Sequence, residues 1–257
     1  MTPGVLGLTL ALVVGVVLGL LGGGGSILAL PIFLYVFGAE PEPAIAMSLA
    51  VVGMSAFVGF TGHLQQKSVN LRVGLPFGLC AMVSAFVTAR LARYVPDSLQ
   101  LALFAVFAFS AAAVMLQDSL RPAWMRVGES PTAESPHFTL LVALEALGVG
   151  ALTALIGAGG GFVIVPALVY LAKVPVKPAV GSSLLIITLN ALAAFVGYLG
   201  RVPIAWSLVL PFTGVAAVGA ILGTRLNRNL PQHRIKQGFA LLILVLGTYL
   251  IVRELAS

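Results

Sequence analysis

Charge is scarce in this 257-residue chain: only 9% of its residues are Asp, Glu, Lys or Arg, against about a quarter in soluble domains. Hydrophobic residues make up 60% and the mean hydropathy is +1.09. That balance excludes a soluble globular protein and describes an integral membrane protein. Cysteine is nearly absent. Cys80 alone cannot close an internal disulfide, and no Cys/His cluster offers metal ligands. Cys80 reads as a small core residue. The net charge is +6, but the basic residues lie mostly at the ends of apolar segments, where they set orientation. They form neither the patch nor the stripe that nucleic acid requires. Enzyme constellations are missing too. There is no HExxH, no Ser/His/Asp set at plausible depth, no paired carboxylates and no GxxxxGK[ST] phosphate loop. Neither an enzyme nor an ATP motor is expected, and no cofactor or metal.

What is present is a succession of apolar segments. Five come first, at about 4–21, 26–37, 43–62, 71–94 and 98–117. The opening stretch has no basic n-region and is too long for a signal-peptide core, so a retained transmembrane helix is expected. Its 18 residues reach about 27 Å, enough to cross a bilayer. The second segment is too short to span and reads as a half-helix or re-entrant element. Residues 118–137 form the long polar stretch of the chain, rich in Pro, Ser and Glu, and read as an exposed linker. Five more segments follow at about 138–156, 162–172, 178–198, 204–226 and 232–252.

The two sets are copies. Adding 135 to a residue number carries Gly22 to Gly157, Gly24 to Gly159, Gly25 to Gly160, Pro31 to Pro166, Tyr35 to Tyr170, Ser48 to Ser183 and Pro76 to Pro211, without a gap. It also carries Arg90 to Arg225 and Pro96 to Pro231. The expected organisation is a membrane repeat at 1–117, the linker at 118–137 and a second repeat at 138–257, together one domain.

At the centre of each copy stand the glycines of LLGGGGSILALP and LIGAGGGFVIVP. Broken backbone exposes N–H and C=O groups, which hydrocarbon tolerates only where protein or a water-filled cavity satisfies them. Paired interruptions at corresponding points of two halves point to a transporter's binding site. Glycines also serve plain close packing of helices, and one run alone would not separate the two readings.

The orientation of the halves turns on parity. If each glycine run merely kinks a helix, each half has four crossings and the halves are parallel. If the run turns the chain back, the number is odd and the second half is upside down. The inverted arrangement gathers Lys67, Arg72, Arg121, Arg126, Lys173, Lys177, Arg225, Arg228, Arg234 and Lys236 on one side. It leaves only Arg90, Arg93, Arg201 and Arg253 on the other. The positive-inside rule favours it, with a cytoplasmic linker and both termini outside.

Polar residues inside the segments are the candidate chemistry. Ser48 and Ser55 are seven apart and share a helix face, as do their mates Ser183 and Asn190. Ser182 and Thr188 add hydroxyls. These faces serve either as interhelical glue or as the lining of a cavity at the glycine breaks. Half-helices starting at Ser26 and Phe162 would aim positive dipole ends at that cavity, which favours an anion. Glu145 breaks the symmetry, since its mate is Leu10. It is either a proton-coupling group or a carboxylate that snorkels to the interface. His63, Gln65, Gln66 and Lys67 read as an ordinary interfacial loop. Trp124 and Trp206 read as interface anchors.

The two glycine elements, each followed by a proline-started helix, PAIAMSLAVV and PAVGSSLLIITLNA, resemble the TauE/SafE sulfite-exporter family of membrane transporters. The resemblance covers almost the whole chain. It implies export of sulfite or a related organosulfonate, such as sulfoacetate, across a prokaryotic inner membrane. It places the binding site at Gly22, Gly24, Gly25, Ser48, Gly157, Gly159, Gly160, Gly161, Ser183 and Asn190, to which the faces above add Ser26 and Ser55. Glu145 lies outside the shared motif. The expected fold is an all-α bundle of two inverted five-segment repeats, and the expected activity is alternating-access transport of a small anion. The alternatives are another cargo, an organic acid or a metal cation, or a non-transporting structural subunit. Scarce carboxylates argue against a cation. The partners expected are the anion and the lipid bilayer. The oligomeric state stays open.

Overall fold

The computed structural model describes residues 3–120, 140–157, 159–170, 172 and 174–226. The polar linker beyond Leu120, the last segment at 232–252 and both termini lie outside the described residues, and with them the expected sidedness of linker and ends. All regular structure in the described part is helical. In chain order it comprises α1 (Pro3–Leu21), a composite run α2 (24–36), α3 (Pro41–Gln65), α4 (Leu71–Leu91) and α5 (Asp97–Leu120). Then follow α6 (Leu140–Ile156), α7 (Gly161–Tyr170), α8 (Val176–Tyr198) and α9 (Trp206–Leu226). Four helices, those holding Pro41–Gln65, Leu71–Tyr94, Pro178–Tyr198 and Trp206–Leu226, are long and apolar enough to cross a membrane.

Boundaries follow local chemistry. Pro41 stands in the first turn of α3, where its missing N–H costs nothing. Asn70 caps α4, its side-chain oxygen accepting from the Val73 amide at 3.3 Å. Several expected edges shift. α3 runs three residues past its expected end at 62, so His63 and Gln65 are helical rather than loop. α5 extends to Leu120, into the expected linker. The half-helices begin at Gly24 and Gly161, not at Ser26 and Phe162. The first of them is a 3-10 turn (Gly24–Leu28), a short α piece (Ala29–Pro31) and a π-helical stretch (Ile32–Val36).

Both glycine elements turn the chain back. After α1, a Cβ on Gly25 would strike the α1 backbone at Val14 and Leu18, and the Phe37 ring lies against Gly7. α2 therefore returns alongside α1. In the second half, a Cβ on Gly160 would meet Thr153 and Val149 of α6, the residues at the same offsets.

The halves interlock instead of standing apart. α1 packs on α9, and α6 packs on α4; α4 packs on α8, and α9 on α3. Under the 135-residue shift each of these pairs is the counterpart of another. The central contact is α3 on α8, which is its own counterpart. These two helices cross in opposite directions, with Gly53 against Leu192 and Gly59 against Leu184. α1 and α9 run in the same direction, Gly15 lying on Ala216 and Gly19 on Ala220 and Thr224. Small residues let these backbones touch.

Candidate functional site

The two breaks meet each other. The positions a Cβ would take on Gly23 and on Gly161 fall on one another's backbone, so no side chain larger than hydrogen fits between them. Gly22 and Gly157 turn the chain with φ of +68° and +70°, a conformation that favours glycine.

Each turn is held by a serine from the other half. Ser48, fully buried on α3, donates to the Gly157 carbonyl at 2.9 Å and shares that proton with the Ile45 carbonyl at 2.8 Å. Ser183, fully buried on α8, donates to the Gly22 carbonyl and to the Val180 carbonyl. The four residues obey the repeat, Ser48 to Ser183 and Gly22 to Gly157. The carbonyls freed by the breaks thus find donors inside protein, as hydrocarbon demands. The hydroxyl protons expected to face an anion are engaged in holding the turns.

The other candidate residues lie around this centre. Ser26 is buried and donates to the Gly23 carbonyl at 2.7 Å. Gly24 opens α2. Gly25 is taken up by packing on α1. Gly159 faces Val52, Ile187 and Ser26, and Gly160 faces Thr153. Ser55 is fully buried, and its hydroxyl has no hydrogen-bond partner among the described residues. Asn190, also fully buried, donates through Nδ2 to Thr153 Oγ1 at 2.8 Å, while its Oδ1 has no partner among them. These contacts bring Ser26, Ser48, Ser183, Asn190 and the break glycines together; the four side chains are buried, and Gly160 is partly exposed. Glu145 is not with them. It stands half-buried on α6 between the exposed Leu144 and Leu147, with no partner for its Oε2 among the described residues.

Sequence reasoning passed over Thr153. Its mate is Leu18, so a polar-for-apolar mismatch between the repeats was the available signal. It also passed over two ties between the halves. At one end Arg201, just after α8, donates to the Ala89 and Arg90 carbonyls that end α4, at 2.8 and 2.9 Å, and lies 3.7 Å from Glu42 at the start of α3. At the other end the Asn70 amide donates to Ser182 Oγ at 2.8 Å, and Ser182 Oγ donates to the Asn70 carbonyl at 3.3 Å. His63 sits at that second end, buried, with Nδ1 3.0 Å from Ser68 Oγ. Its mate Tyr198 is fully buried near the first end and donates to the Ala154 carbonyl at 2.9 Å.

A duplicated helical bundle with paired breaks that meet in its apolar interior, each held by a serine of the other half, defines a class, the multi-pass membrane proteins with discontinuous helices that serve as transporters. Comparison with known proteins then fixes the family. The family model of the sulfite exporter TauE/SafE matches residues 7–250, and the chain belongs to that family. It is 32% identical over 254 residues to a protein of Xylella fastidiosa named probable membrane transporter protein, covering 95% of this chain and 93% of that one. Proteins so named from Methanocaldococcus jannaschii and Bacillus subtilis are each 25% identical, the first covering 95% of this chain and 96% of the relative, the second 96% and 97%. No solved structure matches.

Proposed function

We propose that the protein is a secondary transporter that exports a small sulfur-containing anion, sulfite or an organosulfonate such as sulfoacetate, across the inner membrane of a prokaryote. The membrane-transporter class rests on the family. The observation that carries the site is the crossed pair of bonds, Ser48 to Gly157 and Ser183 to Gly22, which ties each break to a buried helix of the other half. In this reading the halves are inverted. The reversal of the chain at each break makes five segments per half, and the opposed crossing of α3 and α8 supports the same arrangement. A twofold axis perpendicular to those helices then passes through the breaks near mid-membrane.

The ties at the two ends support a reading of alternating access. One end of the bundle is closed by the Arg201 clasp and the other by Ser182 and Asn70. Releasing one while keeping the other exposes the breaks to one side. The anion is held by helix-start amides, whose positive ends favour negative charge, and by neighbouring side chains. The chain acts as a carrier and not as an enzyme, and needs no cofactor.

The test is stabilisation of purified protein by a panel of sulfite, sulfate, thiosulfate, sulfoacetate and chloride, followed by uptake into proteoliposomes. A rise in melting temperature with one sulfur anion, and its transport, is expected. No stabilisation by any of them would favour a structural subunit whose glycines only pack.

A further inference from the structure

The two breaks are alike in backbone but not in lining. At the second, Thr153 faces Gly160, whose Cβ position would lie 2.7 Å from Thr153 Oγ1. At the first, the matching residue is Leu18, and Gly25 packs straight onto the α1 backbone. The second break starts a ten-residue α-helix, α7, whose leading amides have no partner within the helix. The first starts only a 3-10 turn. Asn190 is fully buried beside the second break. Ile187, one turn earlier on α8, touches Gly159 and Gly161, and Asn190 Nδ2 reaches Thr153 Oγ1 at 2.8 Å. Its Oδ1 has no partner among the described residues, and none of those residues accepts the Thr153 proton.

This leaves a buried site with helix amides and a threonine hydroxyl to give, and one carbonyl oxygen to receive. A bare oxyanion satisfies the donors but repels the Asn190 oxygen. An anion with its own O–H satisfies both, and a buried polar atom left unpaired is what a site discriminates against. Resting on the anion-transport reading above, we propose that the anion binds at the second break alone, with Thr153 and Asn190 as its side-chain ligands. We propose further that Asn190 Oδ1 selects a singly charged anion carrying a donor hydrogen, hydrogensulfite or a hydroxyl-bearing sulfonate.

The matched probes are 2-hydroxyethanesulfonate and ethanesulfonate, equal in charge and close in size. Calorimetric affinity is measured on the purified full-length protein, with melting temperature on the same samples. Wild type is expected to bind the hydroxylated probe at least about fivefold more tightly, the worth of one added hydrogen bond. Asn190→Leu should abolish that ratio, Asn190→Ser should reduce it, and Thr153→Val should weaken both probes together. Equal affinity for the two probes in wild type overturns the proposal without any variant having to fold, and so does a ratio that survives in Asn190→Leu. In those cases both probes still bind and the anion reading stands. If neither probe nor sulfite binds, the anion reading itself fails and this inference with it.

Discussion

Ser48 on α3 donates a 2.9 Å hydrogen bond to the carbonyl of Gly157, 109 residues away in the other half of the chain. Its counterpart Ser183 reaches back to Gly22. Because both bonds are buried, removing one hydroxyl leaves a carbonyl without its cross-half donor, at a cost of about 1–3 kcal/mol. Ser48→Ala and Ser183→Ala are each expected to lower the melting temperature of the unliganded protein, and the double variant to lower it further. Ser55→Ala removes no bond among the described residues and should change it little. Melting curves in detergent check this. A Ser48→Ala protein with wild-type stability but no anion binding would mean that the hydroxyl serves the ligand and not the turn.

The repeat, the glycine elements and the all-helical class were legible because they are matters of spacing and composition. So was the relevance of Ser48 and Ser183, since each recurs after 135 residues. What they do was not legible. A serine's proton goes to a ligand or to a carbonyl according to what the opposite half brings within 3 Å, and the sequence records no cross-half distance. Gly25 and Gly160 look equivalent in sequence, yet one is committed to packing on α1 and the other faces Thr153. Local polarity misled at His63, which follows a long apolar run and is flanked by Gln65 and Lys67 but is buried. The Arg201 clasp joins three elements distant in sequence and leaves no local pattern.

Topology can be read on two described loops. The inverted arrangement puts the loop at Gln66 and the loop at Gly200 on opposite sides of the membrane, whereas parallel halves put both on one side. In a Cys80→Ala background, Gln66→Cys should be reached by an impermeant thiol reagent only after the membrane is opened, and Gly200→Cys in intact cells. Labelling of both from the same side would remove the twofold axis on which the site is drawn.

Arg201 and Glu42 form an ion pair across the halves, with side chains 18% and 30% exposed. Partial exposure limits its worth to stability to about 0–1 kcal/mol, so its use is expected in gating. Glu42→Arg should slow or abolish transport by repelling Arg201. Glu42→Arg combined with Arg201→Glu should restore part of it, though the reversed pair loses the two bonds from Arg201 to the α4 carbonyls. Proteoliposome uptake rates separate these cases. Full activity in Glu42→Arg would show that the pair is no part of the gate.

Glu145 offers a sharper choice. As the coupling group it should make transport depend on a proton gradient, and Glu145→Gln should abolish gradient-driven uptake while anion affinity stays. As an interfacial passenger it should be replaceable. Its distance from the breaks, beside exposed leucines, favours the second outcome, with Glu145→Gln transporting normally across a range of pH.

The glycines of the breaks separate packing from recognition. Gly25→Ala drives a methyl into the α1 backbone at Val14 and Leu18, where nothing but backbone can give way. The variant should therefore lose stability, and any loss of anion affinity should track the fall in melting temperature. At Gly160 the added Cβ would meet the Thr153 hydroxyl and Val149 side chain. Those can rotate, but φ of +64° remains strained for alanine, at about 1–2 kcal/mol. Gly160→Ala should fold with a modest loss of stability and yet bind anion far more weakly, because the methyl occupies the space beside the helix-start amides. The paired readout is calorimetric affinity for the best anion of the panel and melting temperature, both compared with Gly25→Ala. If Gly160→Ala binds as wild type does, the anion does not touch the second break, and the binding site must be sought away from the glycine elements altogether.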